Sequence, residues 1–168
     1  MLSEEDLDTE ARSLEQSVRD MIARDAALPP RFYDGVREKL DEEVVREFYL
    51  CNEAYQQSAL LHIYRRVMRL DRAEERVQAC VKRVLECVDR IRPRAGLSPY
   101  IVLTMPLFTA GREALGEDRE RVRSALKGLG EWLRLRNVWR TLELLEEGWE
   151  RTDEPQGMSR LIGPLRIY

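Results

Sequence analysis

Residues 95–111 (AGLSPYIVLTMPLFTAG) constrain this chain more than any other segment. They carry no charge in a protein where 35% of residues are Asp, Glu, Lys or Arg. Arg92 and Arg94 stand before the run, and Arg112 and Glu113 follow it directly. A segment apolar on every face has no side to give to water, so protein or lipid must enclose it. It is too short to span a bilayer comfortably and contains Pro99 and Pro106, which points away from membrane. The segment therefore reads as the central element of a helical domain.

The flanking sequence repeats at helical spacing. Leu7, Ala11, Leu14, Val18, Met21 and Ile22 mark a first helix, with Ser3 as cap and an acidic first turn at 4–6. Pro29 and Pro30 end it or its linker. A weaker helical stretch begins near Asp34. Val44, Phe48, Cys51, Tyr55, Ala59 and His62 then trace one or two helices reaching Leu70. Asp71 is placed to cap the next, where Val77, Val81, Val84, Val88 and Ile91 alternate by four and three until Pro93. Ser98-Pro99 is a helix start, since Ser caps free N–H groups and Pro fits the first turn. Pro106 should bend that helix near Val102 and Leu103, and Gly111 permits a close helix crossing. Gly116 ends the element, 118–129 forms another helix, and Asn137 is expected to cap the last. That last helix carries Leu135, Val138, Leu142, Leu145 and Trp149. No strand pattern or fixed-period repeat appears.

The expectation is an all-α, antiparallel array of about six or seven helices around a buried, Pro-kinked central helix at 99–115. Residues 1–30 form an acidic amphipathic helix, 31–151 the helical core, and 152–168 a loosely ordered tail with Pro155, Gly157, Gly163 and Pro164.

Composition narrows the chemistry. With 168 residues and 43% apolar content, one globular domain with a genuine core is expected, without disulfides or metals. The net charge of −3 supplies no overall attraction to nucleic acid or anionic membrane. The first residues, MLSEEDLDTE, lack the apolar run of a secretory signal. Cys51, Cys80 and Cys87 have no framework spacing and read as buried free thiols of a reducing compartment. Metal binding is not expected, because His62 is the one histidine and no cysteine pair has ligand spacing. Nothing marks a nucleophile elbow or a phosphate loop, so His62 lacks catalytic company and no enzyme or cofactor is expected. Residues 119–140 carry seven cations (Arg119, Arg121, Arg123, Lys127, Arg134, Arg136, Arg140) against Glu120 and Glu131. Residues 141–154 hold six acids against Arg151. Blocks of opposite sign cancel at a distance and can pair across a helix hairpin, which disfavours a phosphate-binding face.

Three phrases resemble a known family. ALLHIYRRVMRL (59–70), GLSPYIVLTMPLFTAGREALGEDRERVRSAL (96–126) and LRNVWRTLELLEEGWE (135–150) are similar to the C-terminal part of fungal-specific transcription factors, over about 54–150. The specific part is Gly-Leu-Ser-Pro, then Thr-x-Pro-Leu-Phe-x-Ala-Gly, then Asp-Arg-Glu. The resemblance implies an all-helical regulatory region, nuclear or cytoplasmic, that restrains a transcription regulator until an effector or partner engages it. The family's six-cysteine zinc cluster has no counterpart among three cysteines, so its DNA reader is not carried over. Much of the family's N-terminal regulatory region is also missing, and Arg112 stands where members often have cysteine. The chain thus looks like a free-standing or truncated form of that domain. It is expected to act through a protein partner or small effector, without sequence-specific DNA binding of its own. The alternative is a stand-alone helical interaction or scaffold protein with no transcriptional role.

The expected effector or partner pocket lies where the Pro-bearing helix meets the Trp-bearing C-terminal helix. Its residues are Thr104, Met105, Phe108 and Trp139, with Trp132 and Trp149 as further aromatic walls. Proline and threonine in a buried helix leave backbone and hydroxyl groups that a ligand can engage. The competing reading is core packing for the tryptophans, and a Thr104 hydroxyl bonded to its own preceding turn.

Overall fold

Short local signals begin and reverse the chain's helices. Asp41 accepts a hydrogen bond from the Val44 N–H at 2.8 Å and opens a 21-residue helix with two glutamates in its first turn. Ser98 accepts from the Tyr100 N–H at 3.2 Å ahead of Pro99. Arg69 and Arg134 take left-handed backbone angles (φ 52° each) where the chain turns back on itself. The computed structural model describes residues 4–28, 31–96 and 98–153. Among them are six α-helices and no strand: α1 Glu4–Ala27, α2 Glu42–His62, α3 Glu75–Val88, α4 Thr104–Glu113, α5 Glu117–Leu133 and α6 Arg136–Asp153. Short 3-10 turns occupy Arg37–Lys39 and Pro99–Val102, and α2 closes in a π turn at Ile63–Val67.

Polar pairs fix the directions of neighbouring helices. Across α1 and α2, Asp25 accepts from Asn52 and Gln56 (3.0 and 2.7 Å), while Glu15 and Arg19 meet the Tyr64 hydroxyl at 2.7 Å. Those contacts join the end of α1 to the middle of α2 and the middle of α1 to the end of α2, so the two run antiparallel. Arg83 grips Glu53 with two bonds of 2.6 and 2.8 Å, and Glu47 early in α2 accepts from Arg92 N–H and Arg94 beyond α3. Hence α3 is antiparallel to α2. A third antiparallel pair is α5 with α6: Arg119 bonds Asp153, Arg123 bonds Glu146, and Trp139 covers Gly130.

The core lies between these pairs. Val77, Val81, Val84 and Leu85 of α3 are fully enclosed, and they meet Leu60, Leu61, Leu103, Leu107, Leu126 and Leu129. The helix α4 packs against α2, α3, α5 and α6, the central position expected for it. Leu103 has no exposed surface, also as expected.

The uncharged run is nevertheless not enclosed on all sides. Ile101 and Met105 keep 52% and 56% of their surface, and Val102 is exposed too. Four helices cover one side of α4, whereas the 3-10 turn rides over α2, with the Tyr55 hydroxyl bonding the Val102 carbonyl at 2.7 Å. The expected bend near Val102 and Leu103 falls where that turn gives way to α4. Pro106 stands in the first turn of α4, where its missing N–H costs no ladder bond. Phe108, expected in the core, is only half-buried against its edge.

Other boundaries shift for local reasons. Asp71 bonds the Ala73 N–H in a turn ahead of α3 rather than capping the helix. Asn137 lies inside α6, one residue past its start, and α5 extends beyond 118–129 at both ends. In α1 only Ala11, Val18 and Ile22 face the core, leaving Leu7, Leu14 and Met21 exposed. The helix α6 continues to Asp153, and the remainder of the expected tail, 154–168, lies outside the described residues, as do 1–3, 29, 30 and 97.

Candidate effector and partner surface

Helices α4, α5 and α6 meet at Gly111. A Cβ at that position would lie 2.7 Å from Leu145 Cδ1 and 2.9 Å from Val122 Cγ1, so the close approach depends on glycine. The freed space also lets the Trp149 indole N–H donate to the Gly111 carbonyl at 2.8 Å. On its other side Trp149 is covered by the guanidinium groups of Arg119 and Arg123, 5.6 and 5.3 Å from the ring centre. Both arginines are themselves tied to acids of α6. Much of the basic block at 119–140 is thus neutralised in place: Arg121 pairs with Asp89 and Asp118, and Arg140 with Glu143.

A groove of about 400 Å³ opens beside this crossing. Phe108, Leu144, Leu145 and Trp149 form its apolar floor, and Arg72, Arg112 and Arg151 stand around it. Arg72 is held through Glu113, a buried carboxylate at the end of α4. Glu113 takes its short bond from Arg65 (2.7 Å) and lies 3.6 Å from Arg72 Nε. The Glu113 carbonyl accepts from Gln78 at 2.9 Å, which locks the end of α4 onto α3.

Of the four residues expected to form one pocket, Phe108 alone is among those lining this groove. Met105 lies on the open side of α4, one turn earlier. Thr104 is half-buried, and its hydroxyl makes no hydrogen bond with the described residues, not even to the preceding turn. Trp139 lies over Gly130, where an added Cβ would be 2.8 Å from the indole, and it remains partly exposed. Trp132 meets Tyr100 edge-on at 5.7 Å. Trp149 is the tryptophan that reaches the groove.

Other candidates carry less chemistry. His62 is exposed at the end of α2; partial desolvation first, then the charges of Arg66 and Arg112, hold its imidazole below the usual histidine value. Burial pushes the Cys51 and Cys80 thiols up to about 11 and Cys87 to about 12, which leaves them protonated and unreactive. Among the described residues, no group of three or more His, Cys, Asp or Glu is placed to hold a metal ion. None of their helices is long and apolar enough to cross a membrane.

The family model described as "Fungal specific transcription factor domain" matches residues 1–159, well beyond the three phrases that carry the resemblance. No curated protein and no solved structure matches the chain.

Proposed function

The chain belongs to the fungal specific transcription factor domain family, and from that premise we propose that it is a non-enzymatic regulatory module of a transcription regulator. It receives a protein partner or small effector on the α4–α6 face, around Thr104, Met105, Phe108 and Trp139, and does not itself read DNA sequence. A nuclear site of action accompanies that role. The family match over nearly the whole chain carries this reading. The exposed Met105, one turn before the groove-lining Phe108, supplies apolar contact surface, as binding faces commonly do. The pairing of Arg119, Arg121, Arg123 and Arg140 with carboxylates removes charge that phosphate binding would need.

Two measurements test it. Fused to a heterologous DNA-binding domain, the chain should shift transcription of a matched reporter, and Met105→Asp should blunt the shift while preserving the melt. A reporter indifferent to the fusion rejects the regulatory role. Titrated with labelled duplexes at physiological salt, the chain alone should bind no tighter than about 10⁻⁴ M; sequence-selective binding at nanomolar levels rejects the second part.

A further inference from the structure

We propose that the Phe108 groove is a binding site for a small organic acid, an apolar body bearing a carboxylate, clamped by Arg112 and Arg151 over a Phe108–Trp149 floor. This rests on reading the α4–α6 face as the contact surface, and adds the chemical class of what enters it.

The charge arrangement carries the argument. Other clefts of similar size mix acids with bases. The one between α1 and α2 holds Asp25 beside Arg24 and Arg31. Another sets Arg92 and Arg121 against Asp89, and a third sets Arg119 and Arg123 against Glu120, Glu146, Glu150 and Asp153. The Phe108 groove has three arginines and no carboxylate in its lining. Arg112 and Arg151 have no ion-pair partner among the described residues. Arg72 Nη1 is buried with no hydrogen-bond partner. The nearby acids are already engaged: Glu113 by Arg65, and Asp153, whose charge interacts with Arg72, by Arg119. An anion entering the groove therefore finds unspent guanidinium donors, whose planar fork matches a carboxylate. The floor explains the rest of the ligand. Phe108 and Leu144 offer apolar surface that inorganic anions would leave unused, and about 400 Å³ is the scale of small-molecule sites.

The test uses the full chain and 8-anilinonaphthalene-1-sulfonate, a fluorescent apolar anion, as the probe. One saturable site is expected, displaced by 4-phenylbutyrate but not by its uncharged counterpart 4-phenylbutan-1-ol. Arg112→Gln and Arg151→Gln should each weaken the probe about tenfold, the usual effect of losing one charge-assisted bond. Neither side chain has an ion-pair partner among the described residues, so the melt should not move. Equal displacement by acid and alcohol overturns the proposal, as does unchanged affinity in the double variant. Displacement by poly-glutamate but not by phenylbutyrate also overturns it, in favour of an acidic protein segment. The acid–alcohol comparison is made on the unaltered chain and so decides independently of how the variants fold. A reporter that responds to a fusion blind to organic acids sinks this inference alone; an acid-binding chain inert in the reporter sinks the regulatory reading alone.

Discussion

Replacing Gly111 by alanine puts the packing of α4, α5 and α6 to its sharpest test. The new methyl would stand 2.7 Å from Leu145 and 2.9 Å from Val122, inside the closest approach of carbon atoms. Leu145 can turn its terminal methyls only within a buried site, and Val122 Cγ1 is attached close to its own helix. Relief therefore requires α4 to move away. Overpacking of this kind costs ~1–3 kcal/mol. Moving α4 also stretches the 2.8 Å bond from Trp149 to the Gly111 carbonyl, for ~1 kcal/mol more. Against these stands the helix preference of Ala over Gly, ~1 kcal/mol in the other direction. The net loss is about 2 kcal/mol, and a chain of this size should melt about 4–8 °C lower. Gly148 of α6 is the control. Nothing lies within 4 Å of a Cβ there, so Gly148→Ala should hold stability or raise it by up to ~1 kcal/mol. Paired thermal and urea unfolding, followed by circular dichroism, measures both. A Gly111→Ala chain that melts at or above the parent refutes the glycine-dependent crossing.

The remaining predictions probe other levels of the structure. Leu103→Ala should cost ~2–5 kcal/mol in urea unfolding, whereas the half-buried Phe108 should cost only ~1–2 on truncation to Ala; the reverse order would misplace the core. Burial alone would raise the Glu15 carboxyl, but bonds from Tyr64 and Arg19 and the charge of Arg76 outweigh it and hold the native value below 4.5. Its stabilisation is therefore present above about pH 4.5 and lost as pH falls through that lower native value. The stability gap between the parent and Glu15→Gln should shrink from about pH 6 to pH 3, and a constant gap contradicts it. Cys51, Cys80 and Cys87 should react with a thiol reagent at about pH 8 only after unfolding, since each is buried with a raised value; prompt modification of the native chain refutes that.

The helices were legible because their signals are local. Val77, Val81, Val84 and Val88 lie at 3.6-residue spacing, and Ser98-Pro99 carries its own start chemistry, so both could be read without knowing any neighbour. Gly111 was readable as a close crossing because it ends an apolar run that must touch other helices. Burial is not local. Leu7, Leu14 and Met21 look as core-facing as Ala11 and Val18, and only the angle at which α1 meets α2 separates them. Likewise Trp139 and Trp149 occupy one helix, but Trp149 continues the stripe of Val138, Leu142 and Leu145 while Trp139 is offset from Val138 by one residue, about 100° around the axis. That offset was available in the sequence and favours Trp149 as the inward tryptophan. The groove itself was not available, because Arg72, Phe108 and Arg151 come from three distant parts of the chain. Arg112 left a trace: it follows Met105 and Phe108 at helical spacing on the same side of α4.

Groove and crossing share residues, which links stability to binding. Leu145 and Trp149 line the groove and also meet Gly111, so a ligand resting on them touches the contact that sets α4 against α6. Binding to the native arrangement should raise the melting temperature by mass action. The same linkage makes Gly111→Ala a binding variant as well as a stability variant, although residue 111 is not among the groove's lining residues. A Cβ that pushes Leu145 and loosens Trp149 deforms the floor, and affinity for 8-anilinonaphthalene-1-sulfonate should fall several-fold, roughly 1 kcal/mol. Leu103→Ala, which empties space in the core without entering the groove's lining, should lower the melt without that loss in affinity at temperatures where the chain is folded. If the two variants weaken binding equally at matched stability, the effect is general loosening and the link through Gly111 is refuted.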